Sequence, residues 1–230
     1  MIARFGLLSK DPGISAAEFD QHWRDDHGPL AARFPGLRAY YQHRIVNSDQ
    51  FGISHARGAW QLDGLSELHF DNPPAMMAAV NSPEFTGAFR DERGFLADVK
   101  LVICEKNVVV PVATGDGPFV KRMTLLKRLP GLTAEDFRRE WLEVHAKMVR
   151  QWPNVLGYVQ NLVVDRYHAS RTDSAGYEGI PVDGIVEFWF RDTETAAELY
   201  QSEIVARTQD HAKVFLAEIT PFFVETRQIV

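Results

Sequence analysis

Residues 19–42, FDQHWRDDHGPLAARFPGLRAYYQ, return at 137–160 as FRREWLEVHAKMVRQWPNVLGYVQ. At a shift of 118 positions, Pro12, Gly13, Ala16, Phe19, Trp23, His27, Pro35, Tyr40 and Gln42 each meet an identical residue, nine identities without a gap over positions 12–42. Farther on the shift becomes 120. DGLSELHF (63–70) then meets DGIVEFWF (183–190), Phe95-Leu96-Ala97 meets Phe215-Leu216-Ala217, and Glu105 meets Glu225. The offset changes in an irregular stretch, where insertions cost little. Self-similarity on this scale means two copies of one structural unit. The chain divides into a first copy, 1–113, and a second, 118–230, with TGDGP (114–118) as the linker.

Each copy reads in the same order. IARFGLLSK and FVKRMTLLKR are first strands, the latter alternating with basic residues. A helix follows, opened by Ser15 with Glu18 three residues on, a capping box. Thr133 and Asp136 make a weaker version in the second copy. Pro35-Gly36 ends the helix, and LRAYYQHRIV and LGYVQNLVVD are second strands. SELHF and VEFWF are third strands. Residues 74–97 and 194–217 are helical stretches, the first interrupted at Pro83, and VKLVICEKNVVV and ITPFFVETRQIV are fourth strands. Strand-helix-strand-strand-helix-strand is the ferredoxin-like order. One such unit leaves a bare sheet face, which must be buried. The expected fold is therefore α+β: two ferredoxin-like repeats whose antiparallel sheets face each other as a pseudo-dimeric α+β barrel. The space between them is a natural small-molecule cavity.

Composition narrows the function. Of 230 residues, 45% are hydrophobic and 24% charged, enough to bury a core without staples. The net charge of -6, spread along the chain, argues against a nucleic-acid partner, which demands a basic face. The single cysteine, Cys104, excludes an internal disulfide and reads as a small apolar strand residue. No signal peptide or membrane-length apolar run is visible, so a cytoplasmic protein without membrane contact is expected.

The Trp-x-x-x-His helix carries a resemblance. EFDQHWRDDHGPLAARFPGLRAYYQ followed by DGLSELHF resembles the EthD-like family of dimeric α+β-barrel proteins, and EDFRREWLEVHAKMVRQWPNVLGYVQ with DGIVEFWF resembles it more loosely. Single-domain members of that family pair to form a barrel; this chain would form one with itself, and two chains could associate further. The resemblance implies chemistry such as that of cofactor-free decarboxylases, dehydratases and lactone isomerases, while the wider superfamily includes heme-degrading and quinone-forming monooxygenases. The family's helix histidine maps onto His27, with Gly28-Pro29 intact, and onto His145, where Ala146-Lys147 stands instead. Its strand tyrosine maps onto Tyr40 and Tyr158.

Residue chemistry gives these positions roles. His27 suits general acid/base work near neutral pH, and Trp23 shares its helix face. Glu67 and Glu187 sit in apolar third strands, where a carboxylate is costly unless wet or paired. Glu67 would orient an imidazolium or act as a base. Strand alternation puts Glu67 and His69 on one face, Tyr40 and Gln42 on a second, and Tyr41 and His43 opposite those. The expected catalytic set is His27, Tyr40 as donor to a developing oxyanion, and Glu67. Trp23, Tyr41, Gln42, His43 and His69 would bind substrate, with His145, Tyr158 and Glu187 as a second set. No metal and no cofactor are expected, because histidine spacing is poor and no phosphate loop or nucleophile elbow is present. Arg90–Arg93 and the Asp210-His211 pair read as solvated helix faces. The function expected is isomerisation, decarboxylation or elimination on an aromatic-derived or lactone-like acid. The alternatives are hydrolysis, a non-catalytic binding role beside a degradative oxygenase, and a heme- or oxygen-dependent monooxygenase.

Overall fold

The computed structural model describes residues 1–115, 117–168 and 173–230. In the first copy, β1 (Ile2–Lys10), β2 (Leu37–Asn47), β3 (Gly64–Phe70) and β4 (Leu96–Val110) alternate with α1 (Ala16–His22), α2 (Gly28–Ala31), α3 (Pro73–Val80) and α4 (Pro83–Phe95). In the second, β5 (Val120–Arg128), β6 (Val155–His168), β7 (Gly184–Phe190) and β8 (Leu216–Gln228) alternate with α5 (Ala134–Arg139), α6 (Ala146–Val149), α7 (Thr193–Tyr200) and α8 (Glu203–Ala212). The strands close into one antiparallel barrel in the order β1-β3-β2-β8-β5-β7-β6-β4. Two seams, β2 with β8 and β4 with β6, join the copies. The expected facing sheets are thus hydrogen-bonded along both edges, and closure leaves no free strand edge among the described residues.

Local chemistry sets the helix ends. Ser15 and Glu18 form both arms of the capping box. Asp136 is one methylene too short, and its carboxylate takes the Thr133 hydroxyl instead of the backbone. Gly36 turns with φ 72°, and its counterpart Asn154 with φ 60°, the non-glycine residue that best tolerates this region. The break at Pro83 is the one expected from sequence. The break between α7 and α8 has no proline; the Ser202 hydroxyl turns back on the Leu199 carbonyl at 2.5 Å.

The repeated Trp-x-x-x-His stretch is not regular α-helix. Trp23–His27 and Glu140–His145 form π-turns, whose i→i+5 bonding leaves carbonyls poorly served. The Gln42 side-chain amide donates to the Trp23 carbonyl at 2.7 Å, and Gln160 does the same for Trp141 at 2.8 Å. Each amide also donates to a tyrosine hydroxyl on its own strand, Tyr40 at 2.9 Å and Tyr158 at 3.0 Å. The indoles lie across Gly64 and Gly184, where an added Cβ would come within 2.6 and 2.3 Å of the rings. Trp, Tyr, Gln and the strand-opening glycine are therefore one interlocking device, written once per copy.

Apolar clusters fill the space between helices and barrel wall, around Tyr40, Phe70 and Phe85 in the first copy and Trp141, Tyr158 and Phe215 in the second. A separate cluster plugs one end of the lumen with Phe5, Leu65, Leu125 and Phe222. Among the described residues no helix is long and apolar enough to cross a membrane.

Candidate functional site

Strand alternation splits the expected residues between two compartments. Tyr41, His43, Glu67 and His69 point into the lumen, where His43 and His69 both meet Glu67. Tyr40, Gln42 and Trp23 lie beneath the helices, and His27 lines the same small space. The expected trio of His27, Tyr40 and Glu67 is thereby corrected: the barrel wall stands between Glu67 and the other two.

The lumen holds an ionic layer above its apolar plug. Glu67, 2% exposed, accepts from His43 Nε2 at 2.9 Å and from His69 Nε2 at 2.6 Å. His43 Nδ1 meets the Thr226 hydroxyl at 2.9 Å. Lys106 Nζ lies 3.1 Å from Glu67 and 3.6 Å from Glu187. Lys121 Nζ is 2.6 Å from Glu187, and it sits 4.7 Å from the centre of the Trp189 ring. Asn161 completes the layer with a 2.8 Å bond to Glu187. Burial alone would lift the Glu67 carboxyl, but bonds from His43 and His69 and the charges of Lys121 and Lys106 hold it well below the usual carboxylate range. Burial and Glu67 likewise push Glu187 up, while Lys121 and Lys106 bring it below its ordinary value. His43 is driven down by burial and by Lys121, against the opposing pull of Glu67 and Glu187. On the Lys106 side the layer faces a cavity of about 620 Å³, walled by Val108, Val112, Phe119 and Trp189. His69 and Tyr41 stand at its edge, their rings 5.8 Å apart.

The layer is lopsided. Only the Glu67–Glu187 pair repeats. At the matching positions His43 faces Asn161, His69 faces Trp189, Tyr41 faces Val159 and Lys106 faces Thr226. The histidine-bearing half of the lumen belongs to the first copy.

Under the helices, His27 is 6% exposed and its Nδ1 meets Asp91 at 2.9 Å; His22 holds the other Asp91 oxygen at 2.9 Å. Burial raises the Asp91 carboxyl, yet the bonds from His27 and His22 bring it below its ordinary value. The cavity beside His27 measures about 20 Å³, room for roughly one or two waters. The second copy inverts the chain of polar groups: His145 meets His211 at 3.3 Å, and His211 lies 3.5 Å from Glu140. Burial, followed by His211 and His55, lowers His145 to about 3. Burial also raises the Tyr40 and Tyr158 phenols, despite the glutamine bonds. The space beside His145 is about 60 Å³, too small for a porphyrin, and His211 is already bonded within the fold.

Sequence reasoning missed Asp91, read as solvent-facing, and the lysines of the lumen. Lys121 carried a signal, since a basic residue at an inward strand position needs a buried acid, and Glu187 on the neighbouring β7 supplies it. Lys106 lies past the middle of β4, where the apolar run ICEKNVVV masked its direction.

Residues 11–98 and 129–218 each match the profile of the EthD domain family. No curated protein matches the sequence. Among solved structures, an anthrone oxidase-like protein superposes with TM-score 0.66 at 11% identity, covering 99% of this chain and 93% of that one. A candidate monooxygenase from Lactobacillus acidophilus NCFM gives 0.57 at 10% identity over 100% and 94%. A chlorite dismutase variant from Candidatus Nitrospira defluvii gives 0.52 at 10% identity over 97% and 90%. At these identities the likeness is one of fold.

Proposed function

The chain belongs to the EthD domain family, with two copies in tandem, and from that premise we propose that it is an enzyme moving a proton on a small organic acid held in the barrel lumen. The observation that carries this is His69, fixed through Nε2 by an ionised Glu67 at the edge of a 620 Å³ cavity. That volume lies within the usual range for small-molecule sites.

The residues divide the work as follows. With its Nε2 hydrogen donated to Glu67, His69 has the Nδ1 lone pair for a substrate C–H. Once protonated, the ring is stabilised by the carboxylate it already touches, the logic of an acid-oriented histidine base. Lys106, 27% exposed at the side chain, is placed to pair with a substrate carboxylate. The Tyr41 hydroxyl supplies a donor for charge developing on the adjacent oxygen. Phe119, Trp189 and Val112 take an apolar or aromatic body. Return of the proton to a different carbon gives isomerisation; loss of a leaving group gives elimination. Glu67 thus keeps its expected place as orienting acid, His69 takes over the base role expected of His27, and Tyr41 that of Tyr40.

The test is proton NMR in D2O with a panel of muconates, lactones and aromatic-derived acids. The expected outcome is deuterium wash-in or product formation that falls by about 10²–10⁴-fold in His69→Gln and persists in His27→Gln. Turnover that survives His69→Gln but is lost in His27→Gln would place the chemistry beneath the helices. Ligands that bind unchanged would favour the binding-protein reading instead.

A further inference from the structure

Neighbouring residues on β5 point to opposite sides of the wall: Lys121 enters the lumen, and Arg122 enters the space under the second copy's helices. Arg122 is 1% exposed, and its Nε and Nη1 have no hydrogen-bond partner among the described residues. Its guanidinium lies on the Tyr200 ring, 4.6 Å from the centroid, so one face of the cation is covered by an aromatic surface. A buried, unpaired cation is costly and calls for an anion. Arg122 borders the 60 Å³ cavity, together with His145, Tyr158, Trp141 and Trp152.

The first copy shows what is missing. There Arg4, the counterpart of Arg122, lines the matching 20 Å³ cavity together with Glu92 and Tyr40. The counterpart of Glu92 is Ala212, which lines the larger cavity. One copy therefore carries its acid in the chain, while the other has the arginine, the space and, among the described residues, no acid in its lining. The Tyr158 hydroxyl accepts from Gln160 and keeps its own hydrogen for a ligand. His145 is held uncharged by burial, so Arg122 is the cation of this pocket.

We propose that the pocket between the barrel wall and the helices of the second copy is a second binding site, in which Arg122 seats a small monocarboxylate with a short apolar body. The guanidinium fork matches a carboxylate through two parallel bonds. The Tyr158 hydroxyl is a third donor, and the Trp141 and Trp152 rings enclose the hydrocarbon end. The cavity accommodates about four waters' worth of ligand, which limits the acid to roughly the size of propionate. This site is separated from the lumen by the barrel wall and does not depend on the reading of His69.

Propionate and its neutral isostere propionamide, each at 50 mM and constant ionic strength, provide the test by thermal unfolding. Propionate raises the melting temperature of the wild type by roughly 2–4 °C and propionamide does not. Arg122→Met abolishes the propionate shift, whereas Lys106→Met, which alters the lumen, retains it. Ala212→Glu restores the acid of the first copy; it raises the melting temperature without ligand and removes the propionate shift. A shift unchanged in Ala212→Glu or Arg122→Met, a shift lost only in Lys106→Met, or no shift in the wild type overturns the proposal. If Arg122→Met does not fold, Ala212→Glu decides alone.

Discussion

Glu67 and Glu187 hold equivalent places, and their neighbours make them different. Glu67 is bonded to two histidines, Glu187 to an asparagine and a lysine. Glu67→Gln frees His69 and leaves Lys106 with weaker pairing, so both turnover and stability should drop, stability by about 3 kcal/mol in urea unfolding. His145 makes a separate pH prediction. Its folded value, about 3, lies below the ordinary histidine value of 6.5. The unfolded chain therefore binds the extra proton between pH 6.5 and 3, and stability falls as pH falls through that window. From pH 7 to pH 5 the residue should cost the wild type about 2 kcal/mol, a loss absent in His145→Gln. Equal pH slopes for the two proteins in urea titrations would show that His145 is not held neutral.

At the level of the element, the π-turn and the Tyr-x-Gln strand stand or fall together. Gln42 is fully buried and donates to the Trp23 carbonyl and the Tyr40 hydroxyl, while accepting from Arg227 at 2.6 Å. Gln42→Leu should therefore lower stability by about 2–3 kcal/mol and the melting temperature by roughly 5–10 °C. Amide exchange should rise first in residues 23–28; protection there unchanged from wild type would mean that the turn holds itself. The sequence was legible where patterns are periodic: the order of elements, the capping box at Ser15, the shared faces of Tyr41 with His43 and of Glu67 with His69. Residues 23–27 escaped because spacing arguments assume 3.6 residues per turn, which a π-turn breaks. Asp91 escaped because a charged run on a helix is usually wet; only packing against α1 shows that it bridges His22 and His27. Trp23, Tyr40 and Gln42 recur so faithfully that they invite a chemical reading, yet the bonds of the Gln42 amide are spent inside the fold.

For the whole molecule, closure is the dominant fact. Among the described residues every strand is paired on both sides, and the β4–β6 and β2–β8 seams are hydrogen-bonded ladders like those within each copy. A protease site engineered into 113–118 should be cut without loss of structure: the two pieces should stay together on gel filtration and melt in one transition. The first copy expressed alone should be unable to remain a soluble monomer, because the apolar lumen face of Phe5, Leu65 and Val102 would be bare. Light-scattering mass distinguishes a monomer from a self-paired or aggregated product.

The mismatch of His69 with Trp189, and of Glu92 with Ala212, has an evolutionary consequence. In a ring of two identical polypeptides every mutation is made twice, so an improvement on one side is forced on the other, including where it does harm. A fused pair escapes that rule. One half can specialise as reagent and the other as container, each tuned by single substitutions, while the twofold pattern persists in the tryptophans, tyrosines and glutamines that lock the turns and in the Glu67–Glu187 pair.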